Sequence, residues 1–326
     1  MLYLSEYIIH RCETTSGVVF LEHTSSFRTS ETVSIVNGDA AVTSESNLPV
    51  PERDAGIHIV IEPGGRAIHE ELGDLLHYRD LLYFLVRREI TVRYKQTLLG
   101  AAWAVLQPFM TMVVFSVFLG RLAGLPSDNI PYPVFAYLGL LPWTYFSGSV
   151  SRASASLVGN ASLLGKVYFP RVLIPLSSTL AALVDFSVAG TVLAGLMLWY
   201  GLWPAASMLL YVPLTGLTAV LALGVGMWLA SINVQYRDVQ QATPFLLQIW
   251  MFATPIVYPG SLVPERYRFL YDLNPMAGII AAYRASALGE PIPWQSLGVA
   301  VVVAFGFLIT GWWQFRRMDR HFADIV

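Results

Sequence analysis

Charged side chains are scarce in this sequence. Only 20 of its 326 residues are Lys or Arg and 22 are Asp or Glu, and the charged fraction of 13% is about half that of an ordinary soluble domain. The shortage is concentrated in runs that contain none of these four residues and are long enough to cross a bilayer as helices. The runs span residues 96–120, 129–151, 186–236, 239–264 and 291–315. Helices this apolar have no polar face for water, which argues against a soluble fold.

Residues that could perform chemistry are also few. Cysteine occurs once, at Cys12, which excludes a disulfide within the chain. The carboxylates before the last apolar run, Glu265, Asp272 and Glu290, are dispersed, whereas glycosyl transfer or hydrolysis needs a close pair. The six histidines show no metal-ligand spacing. We therefore expect no catalytic residues, no metal site and no enzymatic activity of the chain itself.

A phosphate-binding loop is missing as well. The nearest candidate runs from Gly159 through Gly165 and Lys166 to Val167. Its two glycines are one residue too far apart, and Val167 stands where such a loop needs a Ser or Thr to hold magnesium. If ATP drives this protein, a separate subunit must bind the nucleotide and its magnesium, and this chain binds no cofactor.

The apolar runs predict six membrane-spanning helices. The 186–236 run is too long for one crossing, and Gly201 to Pro204 supply a turn inside it. The first of its two helices begins before the run and includes Asp185. We therefore predict an all-α integral membrane protein whose transmembrane domain covers residues 101–316. The six helices are expected at about 101–120, 133–150, 172–199, 207–231, 242–259 and 293–315.

The remaining segments flank this domain or connect its spans. Residues 1–55 are rich in Ser and Thr and are predicted to be disordered. Residues 56–100 are predicted to form a short strand, at 57–61, and then an amphipathic interface helix with cations between its apolar positions. The segment 273–283 is apolar but only about half as long as a span, which predicts short re-entrant helices before the last span. Residues 317–326 form a C-terminal tail.

The distribution of cations predicts the orientation. With the N-terminal flank inside, twelve Lys and Arg side chains lie at the inner face and four at the outer face, with four more in the remote tail. This excess predicts that both termini are cytoplasmic and that the protein spans the inner (plasma) membrane. The inner group includes Arg152 and Lys166, and the outer four are Arg121, Arg266, Arg268 and Arg284.

Four short segments resemble one family of membrane proteins. The stretch RYKQTLLG from Arg93 to Gly100, followed by Trp103 and Pro108, resembles the entrance of the first span in ABC-2 type permeases of the polysaccharide exporter family. These permeases move O-antigen, capsule or teichoic acid chains. Three later segments agree and follow in the same order: KVYFPR at 166–171, NVQYRD at 233–238 and FAD at 322–324. Each segment is weak alone, but their order along the six predicted spans makes the resemblance specific.

The resemblance implies a division of labour between subunits. Such permeases are expected to form a homodimer, to associate with two copies of a separate ATPase that binds ATP and magnesium, and to export a lipid-linked polysaccharide. Membrane lipid is an expected partner and nucleic acid is not. In this family the loop after the second span, here predicted at 151–171, docks into the ATPase; an ordinary solvated loop is the alternative. The candidate coupling residues are Gly159, Asn160, Leu163, Leu164 and Lys166.

Aromatic and basic side chains are candidates for substrate contact. Sugar rings stack on flat aromatic surfaces, so a glycan could slide along a channel lined by aromatics; lipid anchoring or helix packing is the alternative. Cations at the inner interface could meet the pyrophosphate of a lipid-linked glycan, or bind anionic lipid. The channel candidates are Trp103, Phe109, Tyr132, Trp143, Tyr145, Phe146, Trp250 and Tyr258. The pyrophosphate candidates are Arg87, Arg88, Arg93 and Lys95.

Asp185 is a carboxylate expected inside a span, where it costs several kcal/mol unless it is paired, protonated or hydrated. No Lys or Arg is expected at its depth, so the predicted partner is a hydroxyl, an amide or the backbone. Pro244 and Pro255 are expected to kink the fifth span. Three other functions stay open at this point: an ABC-2 exporter of a small molecule or drug, an ion-coupled secondary transporter that uses Asp185, and a membrane glycosyltransferase.

Overall fold

The structure is a computed structural model that describes residues 77–95, 102–128, 130–164, 169–203 and 205–319. These residues are mostly helical, and none of them forms a strand. The predicted all-α fold is therefore confirmed for the described part of the chain. The predicted disordered tail, the strand at 57–61, Lys166 and the motif at 322–324 lie outside the described residues.

The helices follow one another through short connections. Helix α1 is Arg79–Lys95, and α2 is Ala102–Phe115, which continues as a π-helical segment, Ser116–Leu122. Helix α3 is Tyr132–Gly159, α4 is the single turn Ala161–Leu164, and α5 is Leu173–Trp199. A 3-10 turn, Ala206–Leu210, leads into α6, Tyr211–Gln235. The chain ends with α7 (Val239–Ala253), 3-10 turns at Gly260–Leu262 and Glu265–Tyr267, α8 (Arg268–Leu273), α9 (Pro275–Leu288) and α10 (Trp294–Asp319).

Four helical stretches are long and apolar enough to cross a membrane. They are Ala102–Leu122, Leu173–Trp199, Ala206–Gln235 and Trp294–Met318, and they match four of the six predicted spans to within a few residues. The other two predicted spans also coincide with helices. However, no stretch of α3 is as apolar as these four, and α7 has only 15 residues, a length of about 22 Å.

Two predicted boundaries are wrong, and each error has a physical reason. Helix α3 continues to Gly159 instead of ending near residue 150, so the first half of the predicted inner loop is helical. Arg152 projects from this helix and does not end it. Helix α7 ends at Ala253, so Pro255 lies beyond it and only Pro244 is inside. The residue before a proline is forced towards extended geometry, and Thr254 adopts it with φ −103° and ψ 141°.

Helices α3 and α6 form the centre of the bundle. Helix α6 packs along α3 and α10, α5 packs on α3, and α9 packs against α10. At the contact between α6 and α10, a Cβ added to Gly224 would lie 2.5 Å from the backbone nitrogen of Leu308. A Cβ added to Gly311 would lie 2.4 Å from the carbonyl oxygen of Gly224. Glycine at both positions therefore lets the two backbones touch.

The ends of several helices meet around α1, which lies within the segment predicted to form the interface helix. Leu85 of α1 is buried in one apolar cluster with Leu157 near the end of α3, Ile174 at the start of α5 and Phe315 near the end of α10. We call this side of the molecule the α1 end of the bundle. Arg88, Arg93 and Asn160, which were singled out from the sequence, lie on this side.

Candidate functional site at the α1 end of the bundle

The carboxylate of Asp185, near the middle of α5, is the polar centre of this end. Arg93 forms a salt bridge with its Oδ2 atom, and the Tyr94 hydroxyl donates a hydrogen bond to Oδ1. An Nη atom of Arg152, on α3, lies 3.7 Å from the same Oδ2 atom. We call these four residues the Asp185 cluster. It ties together three helices, α1, α3 and α5.

The partner predicted for Asp185 is right in one respect and wrong in another. A hydroxyl was expected, and Tyr94 supplies one. The expectation that no cation reaches the depth of Asp185 is wrong, because α1 packs on α5 and brings Arg93 to the carboxylate, and because the extended α3 carries Arg152. Two opposite charges offset the cost of a carboxylate within an apolar helix.

Tyr94 is a neutral donor in this cluster. Burial of its hydroxyl, followed by the hydrogen bond to Asp185 and the negative charge there, raises the pKa of Tyr94 to about 12. The phenol therefore keeps its proton at physiological pH, and it holds the carboxylate together with the charged Arg93. Helix α1 is thus attached to α5 by two adjacent residues of different chemistry.

A second polar contact joins α1 to the connection between α3 and α4. Arg88 donates from Nη2 to the side-chain oxygen of Asn160, and the side-chain nitrogen of Asn160 donates to the Ser156 carbonyl at 2.8 Å. Asn160 is only 7% exposed. This candidate coupling residue therefore faces α1 and not the surroundings.

The other candidate coupling residues differ in exposure. Leu163 and Leu164 are partly buried against the same apolar cluster as Leu85, whereas Gly159 is exposed. Within the described residues, the outward surface of this segment is formed by Val158, Gly159 and Ser162. Of the described residues in this segment, these three are the most accessible to another subunit.

The Asp185 cluster borders a cleft of about 280 Å³ between α1, α2, α3 and α5. Trp103 and Gln107 of α2 line the cleft together with Tyr145 of α3 and Phe186 of α5. Its wall thus combines two guanidinium groups, a carboxylate, amide and hydroxyl groups, and aromatic rings. Such a wall can accept an anionic group through the arginines and the flat face of a ring through the aromatics.

Half of the predicted channel aromatics are buried inside the chain. The rings of Trp143 and Phe146 pack on Trp250, with centroid distances of 6.5 and 5.1 Å. Side chains this deep present almost no surface to a passing sugar, so in this structure they serve helix packing, although Tyr145 also borders the cleft. The buried four, each at most 9% exposed, are Tyr132, Trp143, Tyr145 and Phe146.

The remaining candidates keep accessible surface. Trp103 is 54% exposed, and Phe109, Trp250 and Tyr258 are half-buried. Among the basic candidates, Arg87 and Lys95 are exposed on α1, whereas Arg88 and Arg93 contact Asn160 and Asp185. For contact with a substrate outside the chain, Trp103, Arg87 and Lys95 are therefore the best placed of the predicted residues.

Arg284 differs from its prediction as an outer-loop cation. It lies on α9 and donates to the carbonyl oxygens of Pro255 and Ile256, at 2.9 and 2.7 Å, and to that of Phe135 at 3.3 Å. Its guanidinium also lies 3.7 Å from the centre of the Phe135 ring. Arg284 is therefore an internal tie between α9, α3 and the chain that leaves α7. A cation within the apolar segment 273–288 was the signal that could have identified it.

Sequence reasoning also missed the roles of Arg152 and Asn274. Arg152 stands among Ser and Ala residues that can continue a helix. This pattern could have indicated that α3 runs past Arg152. Asn274 accepts hydrogen bonds from the indole nitrogen of Trp250 at 3.0 Å and from the backbone nitrogen of Met276 at 3.1 Å. It thereby caps α9 and ties it to α7.

The apolar helices, with α1 docked on them and a polar cleft between them, define a helical membrane protein. The family described as ABC-2 type transporter matches residues 80–288, more than half of the sequence. The chain therefore belongs to the ABC-2 type transporter family, as its four sequence segments indicate.

Named relatives support this assignment. The chain is 34% identical over 223 residues to the O-antigen export system permease protein RfbA of Myxococcus xanthus. This alignment covers 68% of this chain and 85% of that protein. It is 25% identical over 248 residues to the protein of the same name from Klebsiella pneumoniae, covering 76% and 95% of the two chains. It is also 27% identical over 209 residues to the polysialic acid transport protein KpsM of Escherichia coli, covering 63% and 80%.

Proposed function

We propose that this chain is the permease subunit of an ABC transporter that exports a lipid-linked polysaccharide across the inner membrane, powered by a separate ATPase subunit. The observation that carries the proposal is the similarity to O-antigen export permeases, which extends over 85% and 95% of their lengths. The similarity to a polysialic acid transport protein supports the same class of cargo, because that polymer is also a glycan.

We infer six crossings with both termini in the cytoplasm. Helices α3 and α7 would supply the two crossings beyond the four long apolar helices. Helix α9 has 14 residues and is buried on most of its surface, which supports a re-entrant helix shielded by its neighbours. The cations of α1 and of the end of α10 lie at the α1 end, which supports placing that end in the cytoplasm.

The proposed assembly contains two permeases and two ATPases, with ATP and magnesium bound by the ATPases. The cleft of a single chain supports pairing, because about 280 Å³ is the size of a small-ligand pocket and not of a path for a polymer. The exposed Val158, Gly159 and Ser162 would form the docking surface for the ATPase. Closure of the ATPases would then push this segment and, through Asn160 and Arg88, move α1.

Substrate contacts follow from the same placement. The exposed Arg87 and Lys95 would meet the pyrophosphate of the lipid carrier at the membrane surface. Trp103, at the mouth of the cleft, would meet the first sugar rings. Asp185 is paired with Arg93 and Arg152, which argues against the ion-coupled alternative, because an ion that used this carboxylate would have to displace both arginines.

Deletion of the gene in its host tests the cargo. We expect loss of the polysaccharide from the cell surface and accumulation of the lipid-linked polymer inside the cell, and both changes should be reversed by a plasmid copy. Extraction of the lipid-linked glycan and staining of surface polysaccharide would measure the two pools. Normal surface polysaccharide combined with retention of a small toxic compound would contradict the proposal and favour a small-molecule exporter.

A further inference from the structure

Two arginines from different helices approach the same oxygen atom of Asp185. Arg93 of α1 pairs with Oδ2, and Arg152 of α3 lies 3.7 Å from that atom. At 3.7 Å the Arg152 contact is an ion pair without a hydrogen bond. The Asp185 carboxylate therefore has one arginine bonded to it from α1 and a second arginine nearby on α3, at ion-pair distance.

The guanidinium of Arg152 packs over Gly148 and has unused hydrogen-bonding capacity. Within the described residues, its buried Nε atom has no hydrogen-bond partner. Gly148 lies one turn earlier on α3, and a Cβ added there would be 3.1 Å from Nη2 of Arg152. The absence of a side chain at Gly148 makes the space in which this guanidinium sits.

The two arginines would respond differently to a movement of α1. Arg93 and Tyr94 leave Asp185 when α1 moves away, because both are on α1. Arg152 stays, because α3 packs along α5, which carries Asp185. Without Arg152, departure of α1 would leave an unpaired carboxylate in an apolar helix, a state that is strongly disfavoured.

We propose that Arg152 is a positioning residue that takes over the Asp185 carboxylate when α1 leaves the bundle. Asp185 exchanges Arg93 for Arg152, so α1 swings out and the cleft beside Trp103 opens without an unpaired charge. The exchange rests on the proposed function, in which the ATPase moves α1 through the contact between Asn160 and Arg88. Arg152 thus lowers the cost of the open state, whereas Arg93 stabilises the closed one.

Cysteine labelling of the full-length chain measures the docking of α1 directly. The native Cys12 is replaced by Ser, and a cysteine is placed at Leu85, which lies on the inner face of α1 and is 5% exposed. A maleimide in membrane vesicles reacts with this cysteine only while α1 is away from the bundle. A cysteine at Asp80, exposed in the first turn of α1, is the control and should react at one rate in every variant.

The proposal predicts opposite effects of the two arginine substitutions. Arg93→Gln removes a bond of the closed state, so labelling of Leu85→Cys should be roughly tenfold faster. Arg152→Gln removes the partner of the open state, so labelling should be slower than in the parent. Arg152→Lys keeps the charge on a shorter group, and its rate should fall between those of Arg152→Gln and the parent. If Arg152 only held the bundle together, its loss would loosen α1 and labelling would be faster.

A double variant completes the test. In Asp185→Asn with Arg152→Gln the open state contains no unpaired carboxylate, so labelling should be faster than in Arg152→Gln alone. Faster labelling in both Arg152→Gln and Arg152→Lys than in the parent would overturn the exchange. These resting rates need neither ATP nor glycan, so they test Arg152 independently of the cargo. Acceleration of the parent's labelling by ATP and the cognate ATPase separately tests the proposed function.

Discussion

At the scale of single residues, the charges inside the bundle are held by specific partners. Asp185 stands out in the sequence because it interrupts an otherwise apolar helix, and that position alone identified it as important. Its partners could not be predicted, because Arg93, Arg152 and Asp185 lie on three different helices. Arg93 and Asp185 are 92 positions apart in the sequence. Which cations reach a carboxylate depends on how helices pack, and no local pattern encodes that.

Arg284 yields a prediction at the same scale. Replacing it with Gln should lower the free energy of unfolding by about 3 kcal/mol, because a partly buried, charged donor to three carbonyl oxygens is lost. Thermal unfolding of the purified protein in detergent would measure the change. Arg268→Gln is the matched control, since Arg268 is exposed on α8. Equal melting temperatures for the two variants would show that the Arg284 contacts contribute nothing.

At the scale of helices, the sequence was informative where composition alone decides. Long apolar stretches with at most a few charges located α2, α5, α6 and α10, because membrane helices tolerate few charges. The end of α3 was misplaced because Arg152 was read as a boundary, although a paired arginine can lie within a helix. The end of α7 was misplaced because Pro255 was taken as a kink, although the chain leaves the helix just before it.

The contact between α6 and α10 provides a test of helix packing. Gly224→Ala should destabilise the protein by about 1–3 kcal/mol, because the new methyl group would overlap the backbone at Leu308. Gly216→Ala, in the same helix, adds its methyl group to open space and should be neutral or slightly stabilising. Comparing the two melting curves separates close packing from helix propensity. A loss of stability in Gly216→Ala as large as that in Gly224→Ala would contradict the packing explanation.

At the scale of the whole molecule, one helix, α1, contacts both the segment proposed to couple to the ATPase and the cleft proposed to meet the substrate. Helix α1 contacts the proposed coupling segment through Arg88. It also contacts Asp185 through Arg93 and Tyr94. It also borders the cleft that contains Trp103. A push on the α3–α4 connection can therefore reach the cleft through a single rigid helix. The family was recognisable from four ordered segments, but this convergence on α1 required the three-dimensional structure.

The central claim is that this chain moves a lipid-linked glycan with energy supplied by another subunit. The most direct measurement uses inverted membrane vesicles that carry the lipid-linked polysaccharide on their outer, cytoplasmic leaflet. Export moves the polymer into the vesicle and so protects it from a glycan-cleaving enzyme added outside. Protection should require ATP, magnesium and both subunits together, and the purified chain should hydrolyse no ATP alone. Protection that persists without the ATPase and disappears when the ion gradient is dissipated would contradict the account.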